Sequence, residues 1–186
     1  SLKANTTGSF NTAIGSQALN NNSTGACNVG IGRNSLFSNT TASCNTAIGH
    51  DSLFHNTTGT RNTATGYESL MTIQSGDDNT AVGYSAGSSV TSGLRNTIIG
   101  ALAGDALTTG GRNIAIGYSA GKLNQAGYSI ALGSRAAETN QDYSSLVGGY
   151  NPFGEEVVER DYTKPKQTLT SEQRAPIEEP TFEPPP

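Results

Sequence analysis

Residues 28–44 read Asn-Val-Gly-Ile-Gly-Arg-Asn-Ser-Leu-Phe-Ser-Asn-Thr-Thr-Ala-Ser-Cys, and Asn45 starts the same pattern again. The asparagine recurs at a spacing of seventeen, at Asn11, Asn28, Asn45, Asn62, Asn79, Asn96 and Asn113. A glycine stands four places after each one, from Gly15 to Gly117. A further copy ends at Gly133 after a step of sixteen, with Ser129 in the asparagine slot. A fixed short period of this kind is the mark of stacked repeats, in which each unit buries its faces against its neighbours.

The five opening residues recur as NTAIG, NVGIG, NTATG, NTAVG, NTIIG and NIAIG. Their alternation has the period of a strand. One face carries Thr12/Ile14, Val29/Ile31, Thr46/Ile48 and their equivalents, an apolar ladder. The other carries Asn, then Ala or Gly, then Gly, and admits close approach of a second backbone layer. A second short segment follows the glycine, with a small residue third and Leu19, Leu36, Leu53 or Leu70 fourth. From Gly87 on, that leucine is lost. An apolar residue appears three places later instead, at Ile73, Val90 and Leu107, so the core filler is expected to change corners around residues 70–90. Asn-Thr-Thr-Gly at 5–8 and 56–59 is turn chemistry, since Asn and Gly tolerate left-handed backbone.

Two short strands and two turns per unit make an all-β fold, a parallel β-solenoid (β-roll) of about eight seventeen-residue coils over residues 1–149. At a strand spacing of ~4.8 Å the stack spans roughly 40 Å. The asparagines are expected to form an amide ladder, a device known from in-register parallel strands. One thin roll buries little apolar area per residue and needs something to pack on. The Ala/Gly face and the column Leu36-Phe37, Leu53-Phe54, Leu70-Met71 are the expected packing surface.

Composition agrees with thin rungs. Only 33% of the 186 residues are hydrophobic and none is Trp, too little bulk for a thick globular core. In residues 1–150 the seven basic residues cancel the seven acidic ones, so the whole net charge of −4 lies in 151–186. All seven prolines lie there too. The segment 150–186 therefore reads as an extended, acidic, proline-rich tail. No basic patch points to nucleic acid. No apolar run approaches the ~20 residues of a membrane span. The chain opens on Ser1 in mid-repeat, which is expected of a fragment or a processed product.

The motifs NTAIGSQAL, NTAIGHDSL and NIAIGYSAG resemble the repeats of YadA-like head domains, found in trimeric autotransporter adhesins and in many phage tail fibres. The resemblance covers about residues 2–149. It implies a left-handed parallel β-roll, three chains side by side, and service as a fibre or receptor-binding shaft. The period of seventeen is longer than the adhesin head's usual repeat and looks more like phage and algal-virus fibres. The coiled-coil stalk, membrane anchor and chaperone domain that accompany such families have no counterpart in these residues.

Few side chains suggest chemistry. Cys27 and Cys44 share a slot on successive coils. They read as half-buried ladder residues or as a disulfide, since stacked Cα atoms lie within disulfide range. Two thiols without convergent His do not complete a metal site. The slot after the glycine holds His50, Tyr67, Tyr84 and Tyr118. Exposed, that ridge offers glycans an apolar face and a polar tip; packed on a neighbouring chain, it is buried. His50 and His55 occupy slots held by other residue types elsewhere and read as surface variation. Asn5, Asn21, Asn22, Asn39 and Asn56 match the N-glycosylation pattern, but the Asn-Thr-Thr turn explains them without sugar. The threonine column of Thr12, Thr46, Thr63, Thr80 and Thr97 is interrupted by Val29 and Ile114 and lacks a threonine partner column, which argues against an ice-binding face.

No nucleophile–base pair, paired carboxylates or phosphate loop emerges, so no catalytic residue, cofactor or metal is expected. In the tail, Pro152, Phe153, Tyr162, Pro165, Ile177 and Phe182 are candidate docking residues, for a partner in a larger assembly or as a strap over the last coil. The expected object is a non-enzymatic homotrimeric virion module, a fibre, spike or capsid decoration. It is expected to contact other virion proteins and host-surface glycans, with no nucleic acid and no membrane insertion. A bacterial surface adhesin is the alternative.

Overall fold

A computed structural model of the chain describes residues 1–122, 127–137 and 146–148. Nine three-residue strands form one parallel sheet in chain order: β1 (Thr12–Ile14), β2 (Val29–Ile31), β3 (Thr46–Ile48), β4 (Thr63–Thr65), β5 (Thr80–Val82), β6 (Thr97–Ile99), β7 (Ile114–Ile116), β8 (Ile130–Leu132) and β9 (Leu146–Gly148). Each strand pairs with its sequence neighbours, identical slots aligned: Thr12 with Val29, Thr46 with Thr63, Thr97 with Ile114. The register step is seventeen as far as β7, then sixteen, Ile114 with Ile130 and Ile130 with Leu146. The described residues contain no helix, and the fold is a parallel β-solenoid. The candidate docking residues of the tail, Pro152 to Phe182, lie outside the described residues.

Each rung has one strand, not two. The second segment is a chain of turns because its backbone repeatedly enters the left-handed region. Gln17 (φ 59°) and Leu19 (φ 50°) both do so, as do Asn34 and Leu36, and Asp51 and Leu53. Strand geometry excludes such angles. The turns still stack rung on rung through backbone bonds, as from the Leu19 N–H to the Ser35 carbonyl at 2.9 Å. At the strand's end the glycine takes φ 137° at Gly49, and a Cβ there would meet the Gly66 carbonyl oxygen at 2.3 Å. Conformation and crowding together demand glycine at that corner.

The sheet's faces are the reverse of the expected packing. The central strand residue points into the roll: Ala47, Ala64, Ala81 and Ile98 are fully buried. The leucines Leu19, Leu36, Leu53 and Leu70 are also fully buried inside their own chain, opposite those alanines. The Ala/Gly face and the leucines are therefore the roll's own core, not a surface for a second chain. The Thr/Ile ladder faces outward, with Ile14 59% and Leu132 44% exposed. Volume decides the direction: the lumen is so narrow that a Cβ built on Gly30 would lie 3.3 Å from Leu19 Cγ.

The change of core filler occurs as the spacing predicts. Burying a leucine contributes about 1.5–3 kcal/mol. Holding it at φ near 50° costs about 1–2 kcal/mol, so the gain at this corner is small. In later rungs Gly87, Gly104 and Gly121 (φ 53–60°) relieve that strain. The lost volume is replaced by Val90 and Leu107, both essentially buried, and by Ile98 on the strand, with Ile73 already buried beside Leu70 one rung earlier. A Cβ on Gly87 would meet Ile98 Cδ1 at 2.8 Å.

Buried asparagines join the rungs. Asn45 Nδ2 donates to the Gly59 carbonyl at 2.8 Å, across its own coil. Its Oδ1 accepts the Asn62 backbone N–H at 2.9 Å from the next rung. Asn62 repeats this with Gly76 and Asn79. The lower part of this column thus links amide to backbone, and amide-to-amide bonds join only at Asn79, Asn96 and Asn113, each at 3.0 Å. A second, shorter ladder runs amide to amide through Asn5, Asn22, Asn39 and Asn56. Asn22, Asn39 and Asn56 are fully buried, which removes them as glycan acceptors in the folded chain.

Asn62→Ala leaves the Gly76 carbonyl and the Asn79 N–H buried without partners, at about 1–3 kcal/mol each. We expect a lowered melting temperature by circular dichroism. Asn62→Asp should melt lower still, because it keeps the acceptor but sets a carboxylate against the Gly76 carbonyl. Unchanged melting of both variants would remove the ladder as a stabilising element.

Candidate binding ridge

The residue after each corner glycine projects from the roll, and parallel register puts these residues in one column. His50 stacks on Tyr67 with ring centroids 5.3 Å apart and planes 12° apart. Tyr67 stacks on Tyr84 at 5.5 Å and 9°. Tyr67, Tyr84 and Tyr118 are 43%, 54% and 48% exposed, so in the single chain the ridge is open to solvent. Ala101 interrupts it between Tyr84 and Tyr118.

A polar column runs beside the rings, formed by Asn34, Asp51, Glu68 and Ser85. Asn34 Nδ2 donates to Asp51 Oδ1 at 2.8 Å. His50 Nδ1 lies 3.1 Å from Asp51 Oδ2, an ion-pair distance for the protonated ring, without closing a well-angled hydrogen bond. Ser85 Oγ reaches Glu68 Oε2 at 3.5 Å. The Tyr67 phenol is hydrogen-bonded to Glu68, which raises its pKa above the usual tyrosine value; the carboxylate's charge adds to the effect. Carboxylates thus hold the rims of the aromatic column without covering the rings.

Cys27 and Cys44 are both free and exposed rather than half-buried, each on left-handed backbone at φ 58° and 63°. Their slot continues upward as a charged ladder that the sequence reading passed over. Arg61 Nε donates to Asp78 Oδ1 at 2.6 Å and its Nη2 to Oδ2 at 3.2 Å, with Arg95 Nε 3.9 Å from the same carboxylate. Arg61 holds the Asp78 carboxyl below the usual range, and Asp78 raises the Arg61 guanidinium in turn. Arg112 lies 5.0 Å above the Tyr128 ring and donates to its hydroxyl. The signal was present as opposite charges seventeen residues apart, Arg61 and Asp78, then Asp78 and Arg95. His55 is exposed and packs edge-on against Phe54, which stacks on Phe37 at 5.1 Å.

Among the described residues no group of three His, Cys, Asp or Glu could hold a metal ion. Nor is any helix among them long and apolar enough to cross a membrane. No protein-family model, curated protein or solved structure matches the chain.

Deprotonating Tyr67 puts a second negative charge beside Glu68, so its phenol should ionise at higher pH than an ordinary tyrosine. Glu68→Gln should move that midpoint down, read as phenolate absorbance against a Tyr67→Phe reference. An unmoved midpoint would mean that Glu68 does not hold the ring.

Proposed function

We propose that this chain is a non-enzymatic structural module of a virion, a left-handed homotrimeric shaft from a fibre, spike or capsid decoration. The observation that carries the reading is the outward face of the sheet. Thr46/Ile48, Thr80/Val82, Thr97/Ile99 and Ile114/Ile116 stand in register along it, with Ile48, Val82, Ile99 and Ile116 37–38% exposed. Three residues by nine strands make a strip about 10 Å by 40 Å. Isoleucine and valine alternate on it with Thr12, Thr46, Thr63, Thr65, Thr80 and Thr97, a mixed face whose exposed apolar side chains stand in register, and such patches are often functional. A straight in-register strip suits a second and third copy laid alongside, since every rung then repeats the same contact.

The repeat motifs point to YadA-like shafts, and the length and stiffness of the roll suit presentation of a surface away from an attachment point. The acidic segment 151–186, with all seven prolines, is the natural attachment arm to other virion proteins. The same resemblance supports a second reading, a bacterial surface adhesin; an outer-membrane anchor encoded downstream would favour it.

Sedimentation equilibrium should return three times the monomer mass. The double variant Ile48→Lys/Ile116→Lys places charges on the outer strip while leaving the lumen untouched. It should sediment as a monomer with an unchanged β-type circular dichroism spectrum. A monomeric parent chain, or a trimer indifferent to both lysines, would defeat the shaft reading as drawn. Removing 151–186 should leave the trimer intact but abolish its attachment to the particle.

A further inference from the structure

The aromatic column has a vacancy of one rung. His50, Tyr67 and Tyr84 stack continuously, Ala101 supplies no ring, and Tyr118 resumes the column one rung further on. We propose that Tyr84 and Tyr118 form the two walls of a slot, floored by Ala101 and edged by Leu102, that takes one pyranose ring of a glycan.

The dimensions follow from the stack. Successive rungs of a parallel ladder lie ~4.8 Å apart, so Tyr84 and Tyr118 stand about 10 Å apart, two rungs. A ring seated level with Ala101 is then about 5 Å from each tyrosine, close to the 5.3 and 5.5 Å at which the column already stacks. Carbon atoms in best contact lie about 3.5–4.0 Å apart, so a flat arene leaves slack on both sides. A saturated, puckered ring with C–H bonds on both faces is thicker and fills the space. Its C–H groups meet the electron-rich faces of the tyrosines, and the phenol hydroxyls sit at the rim where sugar hydroxyls project. Ala101 and Leu102 are half-buried and add no charge to the floor. Tyr84 and Tyr118 are about half exposed, so the slot is reachable from solvent. It lies past the glycine corner, off the outward strand face.

Saturation-transfer NMR of the full chain with methyl glucoside, methyl galactoside and methyl N-acetylglucosaminide tests this. At least one should receive saturation, with the ring C–H protons strongest. Ala101→Tyr completes the column with a residue already accepted at 67, 84 and 118, so the fold should persist by circular dichroism while the signal falls at least tenfold. Tyr118→Ala should also abolish it, and Tyr67→Ala, remote from the slot, should not. No transfer to any of the three sugars would overturn the proposal, as would a signal that survives Ala101→Tyr. A signal seen only after residues 151–186 are removed would also overturn it, by making the chain's own tail the occupant.

Discussion

A buried primary amide that bonds in two directions holds this fold together. Backbone bonds join neighbouring coils along the strand and the turns alike, but they leave the interior polar groups of each bend to be paired. The asparagine ahead of the strand pairs two of them: one bond closes its own arc and one seats the next rung. Only a side chain with donor and acceptor at one fixed spacing does both. Once that amide is buried, the glycine corner, the inward alanine and the outward Ile/Thr face are all set relative to it. Ser129 in the eighth slot, where the step shortens to sixteen, still reaches Asn113 Oδ1 at 2.7 Å and keeps the link.

Much of this was legible in the sequence because the repeat makes each slot visible several times. The coil length, the strand, the asparagine column and the moving core filler came from identities at one spacing. The direction of the faces did not. Alternation of Thr/Ile with Ala separates two faces but does not say which is inside when the lumen is too narrow for isoleucine beside leucine. Ile98 makes the point: it turns inward only where Gly87 and Gly104 have vacated the opposite wall. The second strand was misread for a related reason. Left-handed backbone was recognisable at glycine and asparagine, but Gln17, Leu36 and Cys44 adopt it with no mark in their chemistry. They are held there by stacking, not by propensity.

The aromatic ridge could be found by its slot, and its exposure could not. Ring stacking along the axis holds His50, Tyr67 and Tyr84, and Glu68 holds the Tyr67 phenol, leaving edges toward solvent. On the next column, Asp78 lies between two arginines, so attraction along the axis substitutes for packing where side chains are too polar to bury. The same geometry thus hosts an apolar strip, an aromatic ridge and an ionic ladder on separate edges of one roll.

Among the described residues the rung at 62–78 is unlike the others. It carries both fillers, Leu70 from the rungs below and Ile73 from those above, and both are fully buried. The shorter asparagine ladder ends against it, leaving Asn56 Oδ1 buried without a partner. Coils on its two sides therefore have complementary but different interiors, and cannot be exchanged by simple recombination. Growth of such a chain by duplication can lengthen either arm freely. The junction fixes one level along an otherwise repetitive roll, the rung at which one corner's filler gives way to the other's.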